Sequence, residues 1–181
     1  MDDLALSVRT ARPDDAADLA RIYIDSWQDT YAGVISHTLL SAMSHKSHAA
    51  RWQAAIRGPG AVLVAEDAHA GAIGLCSLGA ARDGGAGFDG EIYTLYVDPA
   101  FQGRGTGRAL LTGAFETFED RKLRSCLIWA HARNNACFFY EAMGGQRVAT
   151  RTTRLMGELT PEIGFGWKRL ATTRQARSIQ S

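Results

Sequence analysis

The sequence predicts a mixed α/β fold in which one layer of sheet carries helices on both sides. Three observations lead to it. The 181 residues suffice for a single hydrophobic core. Two short apolar runs, 61–66 and 72–80, are separated by a turn-forming segment and indicate an antiparallel hairpin. A strand, a helix and a strand follow one another across residues 91–130, and this order gives a parallel strand pair.

The N-terminal elements follow from periodicity. Residues 6–12 alternate apolar and polar side chains, which predicts a half-buried strand. From residue 14 to 28 the apolar side chains recur at helical spacing, which predicts an amphipathic helix. Ser36 can cap a short turn through Leu40, and residues 44–57 form a second helix that Gly58-Pro59-Gly60 ends.

The C-terminal elements complete the sheet. β-Branched and aromatic residues at 91–97 predict a strong strand, and a helix begins at Gly105 or Gly107. Residues 124–130 form a buried strand, a short helix runs from Asn134 to Met143, and two strands near 146–155 and 162–169 close the sheet. About six to seven strands and four helices therefore make one domain over residues 1–170. The polar segment 171–181 is predicted to be a disordered tail.

Composition excludes several classes of protein. The net charge is +1, from 20 basic and 19 acidic residues, so neither nucleic acid nor an anionic membrane is an expected partner. Cys76, Cys126 and Cys137 are an odd number without metal-binding spacing and are expected to be free thiols in a reducing cytosol. The five histidines have no metal spacing, so no metal is expected. We find no signal peptide or membrane span, which favours a cytoplasmic protein.

The glycine-rich segment Gln102–Arg108 lies between the strong strand and a helix. Its glycines allow the backbone to turn tightly, and the helix start points N–H groups and a positive dipole at any bound anion, so a pyrophosphate fits. The segment lacks the Lys-Ser or Lys-Thr ending of a P-loop and does not meet the dinucleotide fingerprint. A glycine turn without a ligand is the alternative.

Two flanking motifs extend this pattern. Residues 91–111, EIYTLYVDPAFQGRGTGRALL, resemble the acetyl-CoA-binding motif of the GNAT superfamily, with matches at Gln102, Gly105 and Gly107. Residues 134–145, NNACFFYEAMGG, resemble the helix that follows in that superfamily, in which Asn opens the helix and Phe-Tyr-Glu precedes the last glycines. The resemblance implies a mostly antiparallel sheet with a splayed parallel strand pair and an acetyl-CoA-dependent N-acetyltransferase.

The resemblance also implies a set of cofactor-binding residues. Backbone groups of residues 95–97 pair with the pantetheine arm, and an N–H near Leu95 or Tyr96 polarises the thioester carbonyl. N–H groups of residues 103–108 hold the pyrophosphate, while Asn134 either contacts the arm or only caps its helix. The full set is Leu95, Tyr96, Val97, Gln102, Gly103, Arg104, Gly105, Thr106, Gly107, Arg108 and Asn134.

Transfer of an acetyl group to an amine needs two proton steps, because the ammonium must lose a proton and the leaving thiolate must gain one. By its match to the family, Tyr140 is the candidate acid, with a core aromatic as the alternative. Glu91 is the candidate base, acting through a water, with a solvated strand-end residue as the alternative.

Trp27, Tyr31 and Glu91 are expected to border the acceptor. Nearby acidic residues, Asp29, Asp83 and Asp89, would suit a cationic amine.

The predicted function is transfer of an acetyl group from acetyl-CoA to a primary amine of a small molecule or peptide, by direct attack in a ternary complex. Two alternatives stay open. One is a non-catalytic acyl-CoA sensor of the same fold, and the other is a nicotinamide or flavin oxidoreductase that uses only the glycine loop. Members of the superfamily often form homodimers, but no stripe of residues in this sequence identifies an interface.

Overall fold

The computed structural model describes residues 6–33, 35–83, 85–155 and 157–170. These residues form one seven-stranded sheet in the order β1-β2-β3-β4-β5-β7-β6, mostly antiparallel with a parallel β4–β5 pair, so the predicted fold class is confirmed. The strands are β1 Leu6–Thr10, β2 Ala61–Asp67, β3 Gly71–Ala80, β4 Gly90–Val97, β5 Cys126–His131, β6 Gln146–Leu155 and β7 Glu158–Trp167. The helices are α1 Ala16–Thr30, α2 His37–Ser41, α3 His45–Arg57, α4 Thr106–Asp120 and α5 Ala136–Ala142.

Serine side chains cap α2 and α3, and the sequence predicted the first of these caps, at Ser36. The Ser36 hydroxyl accepts the Leu39 N–H of α2 at 3.4 Å, and the Ser44 hydroxyl accepts the Ser47 N–H of α3 at 3.3 Å. Each hydroxyl pairs one of the backbone donors that a helix start leaves without an internal partner. A residue directly before each helix therefore determines where that helix begins.

The chain divides into two compact units. The first comprises the described residues of Met1–Ser77 and Thr94–Leu110. Its core forms where the apolar face of α1, with Leu19 and Ile22 fully buried, packs with Val64 and Leu75 of the strands and with Trp52 of α3. The predicted helical periodicity of α1 thus corresponds to its buried face.

The second unit comprises the described residues of Leu78–Tyr93 and Leu111–Ser181. Here β5 pairs with β7 along its whole length, from Cys126 opposite Trp167 to His131 opposite Glu162. Phe118 of α4 is fully buried and lies so close to β4 that a Cβ on Gly90 would be 2.5 Å from its ring. Glycine at this position therefore allows the helix to approach the strand closely.

The parallel ladder between β4 and β5 is short. It joins Gly90–Ile92 to Cys126–Ile128, and β4 then continues to Val97 while β5 continues to His131. The end of β4 thus lies beyond the residues that pair with β5 in this ladder.

The last strand differs from its predicted bounds. It begins at Glu158 and ends at Trp167, because a long antiparallel ladder with β6 extends back to the pair Leu155–Glu158. Pro161 lies inside this strand opposite Thr152. Since proline cannot donate a ladder hydrogen bond, its presence makes the start of such a strand hard to recognise in sequence. The predicted disordered tail, 171–181, lies outside the described residues.

Candidate active site

The glycine loop has the backbone conformation that glycine favours. Gly103 and Gly105 have φ angles of +73° and +88°, and a Cβ at either position would meet nothing within 4 Å. Side chains 102–105 are exposed, and α4 begins at once with the buried Thr106. The first turn of α4 contains no acidic residue, so no carboxylate there opposes an anion at its positive end.

The end of β4, just before the loop, is fastened by side chains. The Val97 carbonyl accepts hydrogen bonds from the Ser26 hydroxyl and from the Gln102 side-chain amide, both at 3.3 Å. Gln102, which the motif placed among the cofactor-binding residues, therefore holds the strand end through its side chain. The Val97 carbonyl already has two protein partners in this structure.

Asp98, the next residue, joins three elements of the first unit. Its carboxylate accepts the Arg21 guanidinium at 2.7 Å and the Ala100 N–H at 3.0 Å, and its own N–H donates to Ile73 of β3 at 2.9 Å. The hydrogen bond to Asp98 raises the pKa of Arg21. The ion pair of Arg21 with Asp98 and the backbone contacts of Asp98 therefore hold the start of the loop.

The backbone register implies a β-bulge in β4. Ala81 donates to the Asp89 carbonyl at one end of the β3–β4 pair, and Asp98 donates to the Ile73 carbonyl at the other. The segment from Asp89 to Asp98 is one residue longer than the segment from Ile73 to Ala81, so β4 contains one extra residue. The Asp98 N–H points toward β3, and the carbonyl of the preceding Val97 instead bonds Ser26 and Gln102.

An aromatic row extends along α1 to β4 within the first unit. The ring of Tyr31 lies 4.8 Å from that of Trp27, Trp27 lies 5.4 Å from Tyr23, and Tyr23 meets Tyr96 edge-on at 5.4 Å. Trp27 and Tyr31, both predicted to border the acceptor, are buried. Burial raises the pKa of Tyr23 to about 12, so its phenol is neutral at ordinary pH. The row therefore contains uncharged rings.

Glu91 is buried and paired, unlike a solvated strand-end residue. Its side chain is 2% exposed, and its carboxylate accepts the backbone N–H of Arg82 at 2.9 Å and the guanidinium through both oxygens. The Arg82 guanidinium also lies 4.4 Å from the centroid of the Tyr93 ring. The pair with Glu91 raises the pKa of Arg82. The carboxylate is therefore held by the loop that follows β3.

Tyr140 lies in a second aromatic cluster, in the second unit. Its ring is 5.3 Å from Phe139, 5.6 Å from Phe165 and 6.3 Å from Trp167, and its side chain is 4% exposed. The Asn134 side chain accepts the Ala136 N–H at 2.8 Å in a local turn, and the N-cap position of α5 is the next residue, Asn135.

A family model described as the acetyltransferase (GNAT) family matches residues 17–145. The chain belongs to this family. YuaI, an uncharacterized N-acetyltransferase of Bacillus subtilis strain 168, is 32% identical over 166 residues, or 92% of this chain and 95% of the relative. The predicted acyltransferase class is confirmed, and so is acetyl-CoA as the co-substrate of the family.

Solved structures show the same fold. PaiA N-acetyltransferase from Thermoplasma acidophilum, in complex with coenzyme A, has a TM-score of 0.66 and 18% identity, and the match covers 88% of this chain and 98% of that one. The yncA protein of Salmonella typhimurium, in complex with acetyl-CoA, has a TM-score of 0.67 and 21% identity, with 92% and 95% covered. At these identities the likeness establishes the fold of this GNAT acetyltransferase.

The predicted site residues fall in both units. The first unit brings together the glycine loop 102–108, the strand end 95–97 and the aromatic pair Trp27 and Tyr31. The second unit contains Glu91, Asn134 and Tyr140. Sequence reasoning did not predict the contacts of Arg21, Ser26 and Arg82. Ser26 and Val97 are 71 positions apart and Arg21 and Asp98 are 77 apart, so no local pattern reveals these contacts.

The acidic residues predicted to suit a cationic amine differ in their exposure and in their hydrogen bonds. Asp89 accepts the Arg124 N–H at 3.0 Å, which lowers the pKa of its carboxyl group, so this residue has a structural contact. Asp29 and Asp83 are exposed, and Asp83 has a φ of +50°.

Three further features bear on other classes of site. Cys76, Cys126 and Cys137 are all buried, and no disulfide joins them. Among the described residues, no three His, Cys, Asp or Glu side chains form a group that could hold a metal ion. Within the same ranges, no helix is both long and apolar enough to cross a membrane.

Proposed function

We propose that the chain transfers the acetyl group of acetyl-CoA to a primary amine of a small molecule or peptide, by direct attack in a ternary complex. The observation that carries this proposal is the glycine loop. Gly103 and Gly105 leave open space at the start of α4, directly after a strand end fastened by Ser26, Gln102 and Asp98. A loop of this kind suits a diphosphate because backbone donors can approach it closely.

In this proposal, the backbone amides of residues 103–108 bind the pyrophosphate of acetyl-CoA. The first N–H groups of a helix have no partner within it, and the helix dipole favours negative charge there. Arg104 and Arg108 are exposed at the same loop and add positive charge. The absence of an acidic residue from the first turn supports this role.

The end of β4 binds the pantetheine arm like an added strand. The ladder to β5 ends at Ile92, and strand alternation back from Asp98, whose N–H bonds β3, directs the backbone groups of Leu95 and Val97 away from β3 in this proposal. We therefore favour the Leu95 N–H over that of Tyr96 as the donor that polarises the thioester carbonyl. The Val97 carbonyl already accepts two donors, so Val97 contributes its N–H.

Tyr140 donates a proton to the departing thiolate, and Glu91 accepts one from the amine through a water. Both oxygens of Glu91 accept hydrogen bonds from Arg82, so the base must share its lone pairs with that side chain. Glu91 has two candidate roles, as the general base and as the partner that holds the Arg82 loop. Replacing Arg82 with Met removes the second role and keeps the carboxylate. If Glu91 is the base, Glu91→Gln lowers kcat well below that of Arg82→Met. Equal losses in the two variants would restrict Glu91 to holding the loop.

A thiol-release assay with acetyl-CoA tests the function. The acceptors are polyamines, aminoglycosides, amino-acid analogues and peptides, and mass spectrometry follows the product. We expect thiol release that depends on an amine, with one acetyl group added to it. Binding of CoA without amine-dependent release would instead indicate an acyl-CoA sensor. Binding of a nicotinamide dinucleotide in place of CoA would support an oxidoreductase.

A further inference from the structure

The indole nitrogen of Trp27 is buried without a hydrogen-bond partner. In the part of the chain that the structure describes, it is the buried side-chain nitrogen or oxygen atom with this property. The side chain as a whole is 9% exposed. Indole N–H groups are donors only, and a buried donor without an acceptor destabilises the folded state. Such a group in a native protein calls for a partner that the folded chain does not provide.

Ring contacts and the neighbouring residue connect Trp27 to the strand end of the proposed chemistry. Trp27 lies in the aromatic row between Tyr31 and Tyr23, and Tyr23 meets Tyr96 of β4. One residue before Trp27, the Ser26 hydroxyl bonds the Val97 carbonyl at the strand end proposed to bind the pantetheine arm. The unpaired donor therefore belongs to a helix fastened directly to that strand end.

The chemistry around the donor limits its partner. Rings dominate the row, Trp27 can only donate, and Tyr23 remains neutral. A ligand group that reaches this buried donor therefore meets aromatic rings and one hydrogen-bond donor, and the rings offer no charge to a cation. An ordered water could also accept the N–H, but it would not distinguish one amine from another.

We propose that Trp27 selects the acceptor. Its indole N–H donates a hydrogen bond to a carbonyl or carboxylate oxygen carried beside the amine, so the preferred acceptors are amino-acid-like amines with an apolar body. This inference rests on the proposed acetyl transfer and deepens it by naming the class of acceptor. Sites built to hydrogen-bond a substrate group discriminate strongly against an analogue that lacks it, because the donor is then left unpaired.

Two probes test the hydrogen bond directly. Phenylalanine amide and 2-phenylethylamine share the amine and the ring, and only the first carries a carbonyl. The protein contains four tryptophans, and Trp27→Phe identifies the indole resonance of Trp27 by its loss from a ¹⁵N spectrum. In the CoA complex we expect phenylalanine amide, and not 2-phenylethylamine, to move that resonance downfield. If Trp27→Phe fails to fold, single Phe substitutions of Trp52, Trp129 and Trp167 give the assignment by elimination.

Steady-state kinetics provide the second readout. We expect Trp27→Phe to reduce the preference for phenylalanine amide over 2-phenylethylamine, measured as the ratio of kcat/KM values, by about 5-fold to 10²-fold. The part of the ratio that comes from the lower basicity of the α-amine is the same in both proteins. Trp52→Phe is the matched control, because Trp52 contacts the same Tyr23 ring at 5.9 Å. It should retain the preference.

The proposal is overturned if neither probe moves the Trp27 resonance, if both move it equally, or if Trp27→Phe keeps the preference. The proposed function fails separately, when no amine in the panel becomes acetylated. The titration with the two probes needs no turnover, so it tests the hydrogen bond even in that case.

Discussion

Two buried tryptophans, Trp27 in the first unit and Trp167 in the second, differ in what their indole N–H groups contact. Both are at least nine-tenths buried and both lie among aromatic rings. The N–H of Trp167 donates to the Met143 carbonyl at 2.9 Å, whereas that of Trp27 has no partner among the described residues. Packing alone therefore does not distinguish them, and the difference lies in the hydrogen bond.

We interpret the rings around Trp167 as a structural cluster and the row around Trp27 as part of the proposed acceptor site. Around Trp167 the protein supplies the acceptor that the indole needs, so the ring and its neighbours can form a closed core. Around Trp27 the described residues supply ring contacts and no acceptor for the N–H, so in our proposal the free energy of that hydrogen bond is available to a ligand. Tyr140 belongs to the cluster of Trp167. Its proposed role as the acid therefore conflicts with a cluster that is structural only.

The largest expected effect is on Tyr140. If the cluster of Trp167 is structural only, removing the Tyr140 hydroxyl leaves turnover unchanged. As the proposed acid, Tyr140→Phe instead lowers kcat about 10²-fold to 10⁴-fold and leaves acetyl-CoA binding nearly intact. Tyr93→Phe is the control, because it also deletes a phenol hydroxyl, one that donates to the Ala80 carbonyl. Steady-state kinetics and calorimetric titration of acetyl-CoA measure both quantities.

The next effect compares the two tryptophans in matched variants. Trp167→Phe leaves the Met143 carbonyl without its donor, while Trp27→Phe removes a donor that was unpaired. We expect Trp167→Phe to lower the free energy of unfolding by about 1–3 kcal/mol more than Trp27→Phe does. Urea denaturation of both variants measures the difference. Equal losses would mean that Trp27 has an acceptor in the free protein.

A packing variant near Trp167 tests how closed its cluster is. A Cβ on Gly145 would lie 2.8 Å from the Trp167 ring and 2.9 Å from the Tyr140 carbonyl oxygen. Gly145→Ala should therefore destabilise the fold by about 1–3 kcal/mol. Gly145 is not among the glycines with a positive φ, so this cost arises from the close contacts and not from backbone strain. Unchanged stability of Gly145→Ala in a urea titration would show that the cluster yields easily.

The smallest expected effect concerns the ion pair between Arg21 and Asp98 in the first unit. Arg21→Met removes the ion pair that positions Asp98, so the KM for acetyl-CoA should rise about 3-fold to 10-fold while kcat changes less. Arg57→Met, at the exposed end of α3, should leave both constants unchanged. An unchanged KM in Arg21→Met would mean that the loop keeps its position without this ion pair.

Much of the fold was readable because its signals are local. Helix caps, glycine ends and alternation placed the strands and the four longer predicted helices within a few residues, and Ser36 caps its helix as expected. The start of β7 was missed because pairing with β6, a tertiary interaction, extends it through Pro161. Local strand propensity does not predict pairing between two strands.

The candidate site divides in the same way. The glycine loop was readable because its residues are contiguous and their conformation is a property of glycine itself. The contacts of Ser26, Arg21 and Arg82 were not readable, because each depends on a partner that only the folded chain brings near. The unpaired N–H of Trp27 is likewise a result of packing, and no sequence pattern encodes it.

Hydrogen exchange with and without acetyl-CoA tests the central claim, that main-chain groups of β4 and the glycine loop bind the cofactor. We expect the amides of residues 95–108 to exchange more slowly in the complex, while those of the edge strand β6, at 146–155, keep their rates. Binding of acetyl-CoA with unchanged exchange across residues 95–108 would contradict the account.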